Sequence, residues 1–118
     1  MKYFIITYGC QMNKSDSERI AFLLKKIGYK KAPSIQEANL VVINMCAVRQ
    51  SAVDRVYGKI KEINKLKKKK KIKTLLTGCI PKKDLERFKN YFDYILHIKS
   101  LPCWKEFLKH KSFLYYPN

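Results

Sequence analysis

The sequence predicts an α/β fold, a doubly wound parallel sheet of about five strands flanked by helices. Three observations carry that prediction. Short apolar runs alternate with segments of helical periodicity, as in chains built from strand-helix-strand units. The run Asn39-Leu40-Val41-Val42-Ile43-Asn44 is continuously apolar and β-branched, as expected of a strand covered on both faces. The runs end in turn residues, Gly9-Cys10 and Gly78-Cys79 among them, placed where a strand gives way to a helix.

Tyr3-Phe4-Ile5-Ile6 is the first strand, stopped at Gly9-Cys10. Ser15 and Glu18 have capping-box spacing, so a helix is expected to begin at Ser15 and run to Ile27, with Ile20, Leu23, Leu24 and Ile27 inward and Gly28 closing it. Tyr29 to Lys31 suggests a short edge strand, with a small helical turn over Ile35 to Ala38. The strand Asn39–Asn44 then leads through Met45 to Cys46, and from about Ser51 a helix presents Val53, Val56, Tyr57, Ile60 and Ile63 on one face. It dissolves into Lys67 to Lys71, a run read as a solvated helix end. Ile72 to Thr77 is a further strand, ending in Gly78-Cys79; Pro81 opens a helix with Leu85, Phe88 and Phe92 inward. Tyr94 to His97 reads as the last strand, and Leu101 to Lys111 as a final amphipathic helix burying Trp104, Phe107 and Leu108. The apolar tail Phe113 to Tyr116 is expected to dock on a following domain, form an oligomer contact or fold back on its own sheet.

The 118 residues suit one domain, 1–118, with a real core. A hydrophobic share of 47% excludes a disordered chain, and no apolar run is long enough to cross a bilayer or to serve as a signal peptide. The expected location is therefore cytoplasmic. Lys and Arg number 26 against 9 Asp and Glu, a net charge of +17 that suits a polyanion such as RNA; it also suits a Lys-, Ile- and Asn-rich composition inherited from the genome.

In a reducing compartment, four cysteines argue for metal binding or catalysis over disulfides. No C-x-x-C pair is present, so a shared site has to be assembled by the fold. In the flavodoxin-like strand order 2-1-3-4-5, the strands that end in Cys10, Cys46 and Cys79 are consecutive neighbours. Spacing of ~4.8 Å between strands brings three such thiols within roughly 10 Å. Three thiolates leave one iron of a four-iron cluster without a protein ligand, open to an exogenous one. Cys103 has no equivalent position and reads as structural; His97 and His110 read as ordinary histidines. Gly9 and Gly78 would let the backbone approach a bulky group.

Thr7-Tyr8-Gly9-Cys10-Gln11-Met12-Asn13 with Ser15-Asp16-Ser17-Glu18, Asn44-Met45-Cys46-Ala47-Val48-Arg49, and Thr77-Gly78-Cys79 together resemble the N-terminal domain of the radical SAM methylthiotransferases, most closely the tRNA-modifying MiaB type. The resemblance covers nearly the whole chain. It implies an auxiliary [4Fe-4S] cluster on Cys10, Cys46 and Cys79 whose free iron carries sulfur, with Asn13, Asn44 and Arg49 around it. It implies methylthiolation of carbon 2 of an isopentenylated adenosine beside the anticodon of tRNA. S-adenosylmethionine would enter only through a radical SAM domain, whose C-x-x-x-C-x-x-C loop these residues lack. Methylthiolation by this chain alone is therefore not expected, and the radical SAM and RNA-binding C-terminal domains are read as absent. Met45 stands where the family usually has Thr or Ser, and Ile80-Pro81-Lys82-Lys83 lacks its common Ala-Gln.

Two other readings use the same residues. A basic RNA-binding α/β domain with incidental cysteines would bind tRNA in a salt-dependent manner whether or not Cys10 is present. A mononucleotide binder is disfavoured because Cys10-Gln11-Met12 replaces the glycines and hydroxyls that cradle phosphate.

Overall fold

A computed structural model describes residues 1–9, 11–46 and 50–116. The first apolar run forms β1 (Lys2–Tyr8), and α1 (Gln11–Lys26) returns the chain to the edge strand β2 (Lys30–Lys31). A single 3-10 turn, Ile35–Glu37, leads into β3 (Leu40–Met45), followed by α2 (Gln50–Lys67), β4 (Lys73–Gly78), α3 (Lys82–Phe88) and β5 (Tyr94–Leu96). The strands pair in the order β2-β1-β3-β4-β5, all parallel. Because the chain leaves β1 for one side and re-enters on the other at β3, the fold has its topological switch point between these strands, where open α/β sheets form crevices.

Period-two alternation sorts the core into two layers. Leu40, Val42, Leu75 and Leu96 pack with Ile20 and Leu24 of α1. Val41, Ile43, Met45, Leu76 and Ile95 face the other way, against Val53, Val56, Ile60 and Ile63 of α2 and Phe88 after it. Both faces of β3 are covered, so all six of its residues are buried. This accounts for the unbroken apolar run in the sequence.

Two expectations need correction in the segment that follows β5. The segment after β5 is not one amphipathic helix over Leu101 to Lys111. It is a 3-10 segment, Ile98–Cys103, continuing into a single turn, α4 (Trp104–Phe107). Pro102 within it supplies no amide donor, and Ser100 takes over locally: its hydroxyl donates to the His97 carbonyl at 2.6 Å and accepts from Trp104 Nε1 at 3.0 Å. Trp104 is fully buried, while Phe107 and Leu108 are only half-buried.

The sheet also has a sixth strand. β6 (Phe113–Tyr115) pairs in parallel with β5, so the apolar tail folds back on its own sheet, one of the three destinations open to it. Phe107 stacks on Phe113 with ring centroids 4.3 Å apart, which ties the new edge to α4. Among the described residues no helix is long and apolar enough to cross a membrane.

Candidate metal centre at the carboxyl ends of β1, β3 and β4

Strand register brings the cysteine-bearing turns together. Thr7, Asn44 and Thr77 form one row across β1, β3 and β4; Tyr8, Met45 and Gly78 form the next. One residue beyond come Gly9, Cys46 and Cys79. The ladder continues into this last row, with the Cys46 amide donating to the Tyr8 carbonyl and the Cys79 amide to the Met45 carbonyl, both at 2.9 Å. Cys46 and Cys79 thus stand side by side at one level, about a strand spacing apart (~4.8 Å). Cys46 is buried and Cys79 exposed. Cys10, the third predicted ligand, and Arg49, a predicted neighbour, lie outside the described residues.

Both glycines sit where a side chain would collide. A Cβ on Gly78, whose φ is +101°, would fall 2.1 Å from the Met45 carbonyl oxygen. A Cβ on Gly9 would fall 2.7 Å from both Asn13 Oδ1 and Cys46 Cβ. Glycine at these turns is therefore a packing requirement, and at Gly78 a conformational one as well.

Beneath the cysteines lies a buried amide pair. Asn13 Nδ2 donates to Asn44 Oδ1 at 3.1 Å and to the Met45 carbonyl at 3.2 Å. Asn44 Nδ2 donates to the Asn13 carbonyl at 2.8 Å and to Ser17 Oγ at 3.1 Å. Ser17 Oγ in turn shares a 2.7 Å hydrogen bond with Thr7 Oγ1. The Met45 carbonyl that receives the Cys79 amide is thus also held by α1. In the same row, Thr77 Oγ1 is buried and meets no hydrogen-bond partner among the described residues.

This network overturns the capping box. α1 begins at Gln11, a turn earlier than Ser15, and both Ser15 and Glu18 lie exposed within the helix. The earlier start carries Asn13 onto the sheet, and Ser17 becomes the engaged hydroxyl.

The sequence reading missed two tyrosines here. Tyr116 Oη accepts from the Ile80 amide and donates to the Gly78 carbonyl, both at 2.8 Å, bracketing Cys79. Burial raises its pKa above the ordinary phenol value. Tyr57 Oη donates to Asp84 Oδ1 at 2.9 Å; burial first, and then this bond, raise its pKa as well. His97 caps the 3-10 segment by accepting from the Lys99 amide, and His110 is exposed beside Phe113. Cys103 is also exposed, so it is not a packing residue.

A family model described as uncharacterized protein family UPF0004 matches residues 2–98. The chain belongs to this family. The UPF0004 match contains Cys10, Asn13, Asn44, Cys46, Arg49 and Cys79 and ends before Tyr116. The chain is 41% identical over 95 residues to the tRNA-2-methylthio-N(6)-dimethylallyladenosine synthase of Dictyoglomus thermophilum, a match covering 80% of this chain and 22% of the relative. Against the enzyme of the same name from Thermotoga petrophila it is 36% identical over 102 residues, 86% of this chain and 23% of that one. For Syntrophomonas wolfei the figures are 51% over 81 residues, 68% and 18%. The chain thus spans about a fifth of the length of the curated relatives it matches.

Proposed function

We propose that this UPF0004 chain is the sulfur-carrying, cluster-binding domain of a tRNA methylthiotransferase, holding an auxiliary [4Fe-4S] cluster on Cys10, Cys46 and Cys79. The observation that carries this reading is the shared level of Cys46 and Cys79 on adjacent parallel strands, both following ladder partners, with Cys46 against Gly9 and so one residue from Cys10. Three features of the surroundings fit such a group. Thiolates are its usual protein ligands. Gly9 and Gly78 let the cysteine turns pack directly on Asn13, Cys46 and the Met45 backbone, which draws the turns together. The Thr77 hydroxyl is a buried donor that a thiolate or sulfide would satisfy.

When bound, the cluster would offer an iron without a protein ligand as the place where sulfur is held for transfer. The protein's own contribution is orientation. Asn13 and Asn44 fix the start of α1 against β3 with neutral amides, which add no negative charge of their own beneath the cysteine turns. Arg49, inside the matched motif, is the candidate for balancing charge. Of the two parts of the transferase reaction, this chain supplies the sulfur side; S-adenosylmethionine chemistry requires a radical SAM domain that residues 1–118 do not contain. The names of the relatives support tRNA as the partner and the methylthiolated dimethylallyladenosine as the product.

The test is anaerobic reconstitution followed by iron and acid-labile sulfide analysis of wild type and the four single Cys→Ala variants. Four irons in wild type, lost with Cys10→Ala, Cys46→Ala and Cys79→Ala and kept with Cys103→Ala, is the expected result. Equal iron in all five proteins would refute the site.

A second reading, RNA binding independent of the cysteines, draws on one observation. Lys67 to Lys71, Lys73 and Lys111 line a depression at the opposite end of the sheet, where Asp93 is the sole lining carboxylate. It predicts tRNA affinity that falls with salt and is indifferent to all four Cys→Ala changes.

A further inference from the structure

Tyr116 lies beyond the residues matched by the family model, just past β6, yet its hydroxyl reaches the turn that carries Cys79. Two peptide units flank the Cα of Cys79. The first is held at both polar atoms: its N–H donates to the Met45 carbonyl and its carbonyl, that of Gly78, accepts from Tyr116 Oη. The second is held at its N–H, that of Ile80, which donates to the same hydroxyl. Fixing both peptide planes fixes φ and ψ at Cys79, and with them the direction of its Cα–Cβ bond. A phenol suits this task because a single oxygen both donates and accepts. The ring is itself seated, 5.2 Å from the His97 ring and packed on the cluster that contains Ile80.

We propose that Tyr116 is a positioning residue for Cys79: its hydroxyl replaces the ladder bonds that the turn has lost and so holds an exposed thiol at the level of Cys46. The link to metal binding rests on the cluster reading above, whereas the hold on the turn does not. Without the hydroxyl the ring still packs, but the Gly78–Ile80 turn samples other conformations and Cys79 is no longer held beside Cys46.

Tyr116→Phe keeps the ring and removes the hydroxyl. In the metal-free, reduced chain, amide hydrogen exchange at Ile80 is expected to accelerate roughly three- to tenfold, while the Cys79 amide, bonded to Met45, stays protected. Iodoacetamide labelling of Cys79, read residue by residue against Cys103 as internal standard, should rise by a similar factor. Unchanged exchange at Ile80 together with unchanged Cys79 labelling would overturn the proposal. A second arm uses the reconstituted chain, in which Tyr116→Phe is expected to release iron to a chelator several-fold faster and to alter the spectrum of the reduced cluster. Faster exchange with iron release and spectrum unchanged would reduce Tyr116 to a structural contact and overturn its positioning role. If wild type takes up no iron, the cluster reading fails, and the labelling arm alone decides whether Tyr116 holds Cys79.

Discussion

The two ends of the sheet solve opposite problems. At the carboxyl end, the groups directly under the cysteine turns are neutral: two buried asparagines, two hydroxyls and two carbonyls are joined in one hydrogen-bonded network. At the amino end, cations crowd together. Lys67 pairs with Asp93 at 3.4 Å, and Asp93 also accepts from the Thr74 amide at 2.9 Å; Lys70 and Lys73 reach the carbonyls of Gln36 and Lys111. The first arrangement is rigid because its groups are desolvated and each loss leaves a partner stranded. The second is loose because exposed ammonium groups remain in water and are screened by salt. Rigidity thus belongs to the end where direction matters, and charge to the end where a diffuse polyanion can be met.

If this contrast holds, substitutions at the carboxyl end cost far more stability. Gly78→Ala is the most severe, since it combines a positive φ with a Cβ driven into the Met45 backbone. A loss of at least about 3 kcal/mol is expected by urea unfolding. A cost below about 1 kcal/mol would show that the turn can open without harm. Next comes Asn44→Ala, which removes hydrogen bonds to Asn13, to its carbonyl and to Ser17 at a wholly buried position. About 2–3 kcal/mol is expected, with the Asn13→Ala/Asn44→Ala double variant losing less than the sum of the singles.

Much of the carboxyl end was legible because it follows from chain periodicity. Apolar runs gave the strands, and with the strands their register, which puts Cys46 and Cys79 at one level. What escaped notice depends on tertiary placement. Ser15 and Glu18 have the spacing of a cap, but burial of Asn13 against β3 outweighs that local preference and starts the helix earlier. The segment Phe113-Leu114-Tyr115-Tyr116 carries an apolar signal too short to say what it covers; only the pairing of Leu96 with Tyr115 brings Tyr116 level with the β4 turn. Likewise nothing local to Tyr57 or Asp84 announces their bond across 27 residues.

The amino end should respond through binding, not folding. Replacing Lys68, Lys69, Lys70 and Lys71 together by Ser is expected to change stability by no more than about 0.5 kcal/mol per site. In filter binding to tRNA, the slope of log affinity against log salt should flatten by about 0.7–0.9 for each phosphate contact removed, with iron uptake unchanged. Conversely, Cys46→Ala should lose iron and keep the salt slope. If the lysine variant lost iron, or the cysteine variant lost RNA, the two ends would not be separable.

A pH dependence again falls on the carboxyl end. Tyr57 is raised above the ordinary phenol value by burial and, next, by its hydrogen bond to Asp84. The folded chain therefore binds the phenolic proton more tightly than the unfolded chain. The sign follows from linkage: this stabilisation is present in full below the unfolded value of about 10 and is lost as pH rises through the higher folded-state value. Tyr57→Phe should cost about 1–2 kcal/mol at neutral pH, because Asp84 Oδ1 loses its donor. It should also make the fall in stability above pH about 10 shallower than in wild type. Urea midpoints at pH 8 and above pH 10 measure both. An alkaline slope as steep in Tyr57→Phe as in wild type would assign the loss to Lys59, raised by its hydrogen bond to Glu62, or to Tyr29, Tyr94 or Tyr116, whose phenols are likewise raised by burial. Because Tyr116 belongs to the same carboxyl end and Tyr94 donates to the His110 carbonyl elsewhere, parallel Phe variants at these two positions would then show which end of the sheet yields first in alkali.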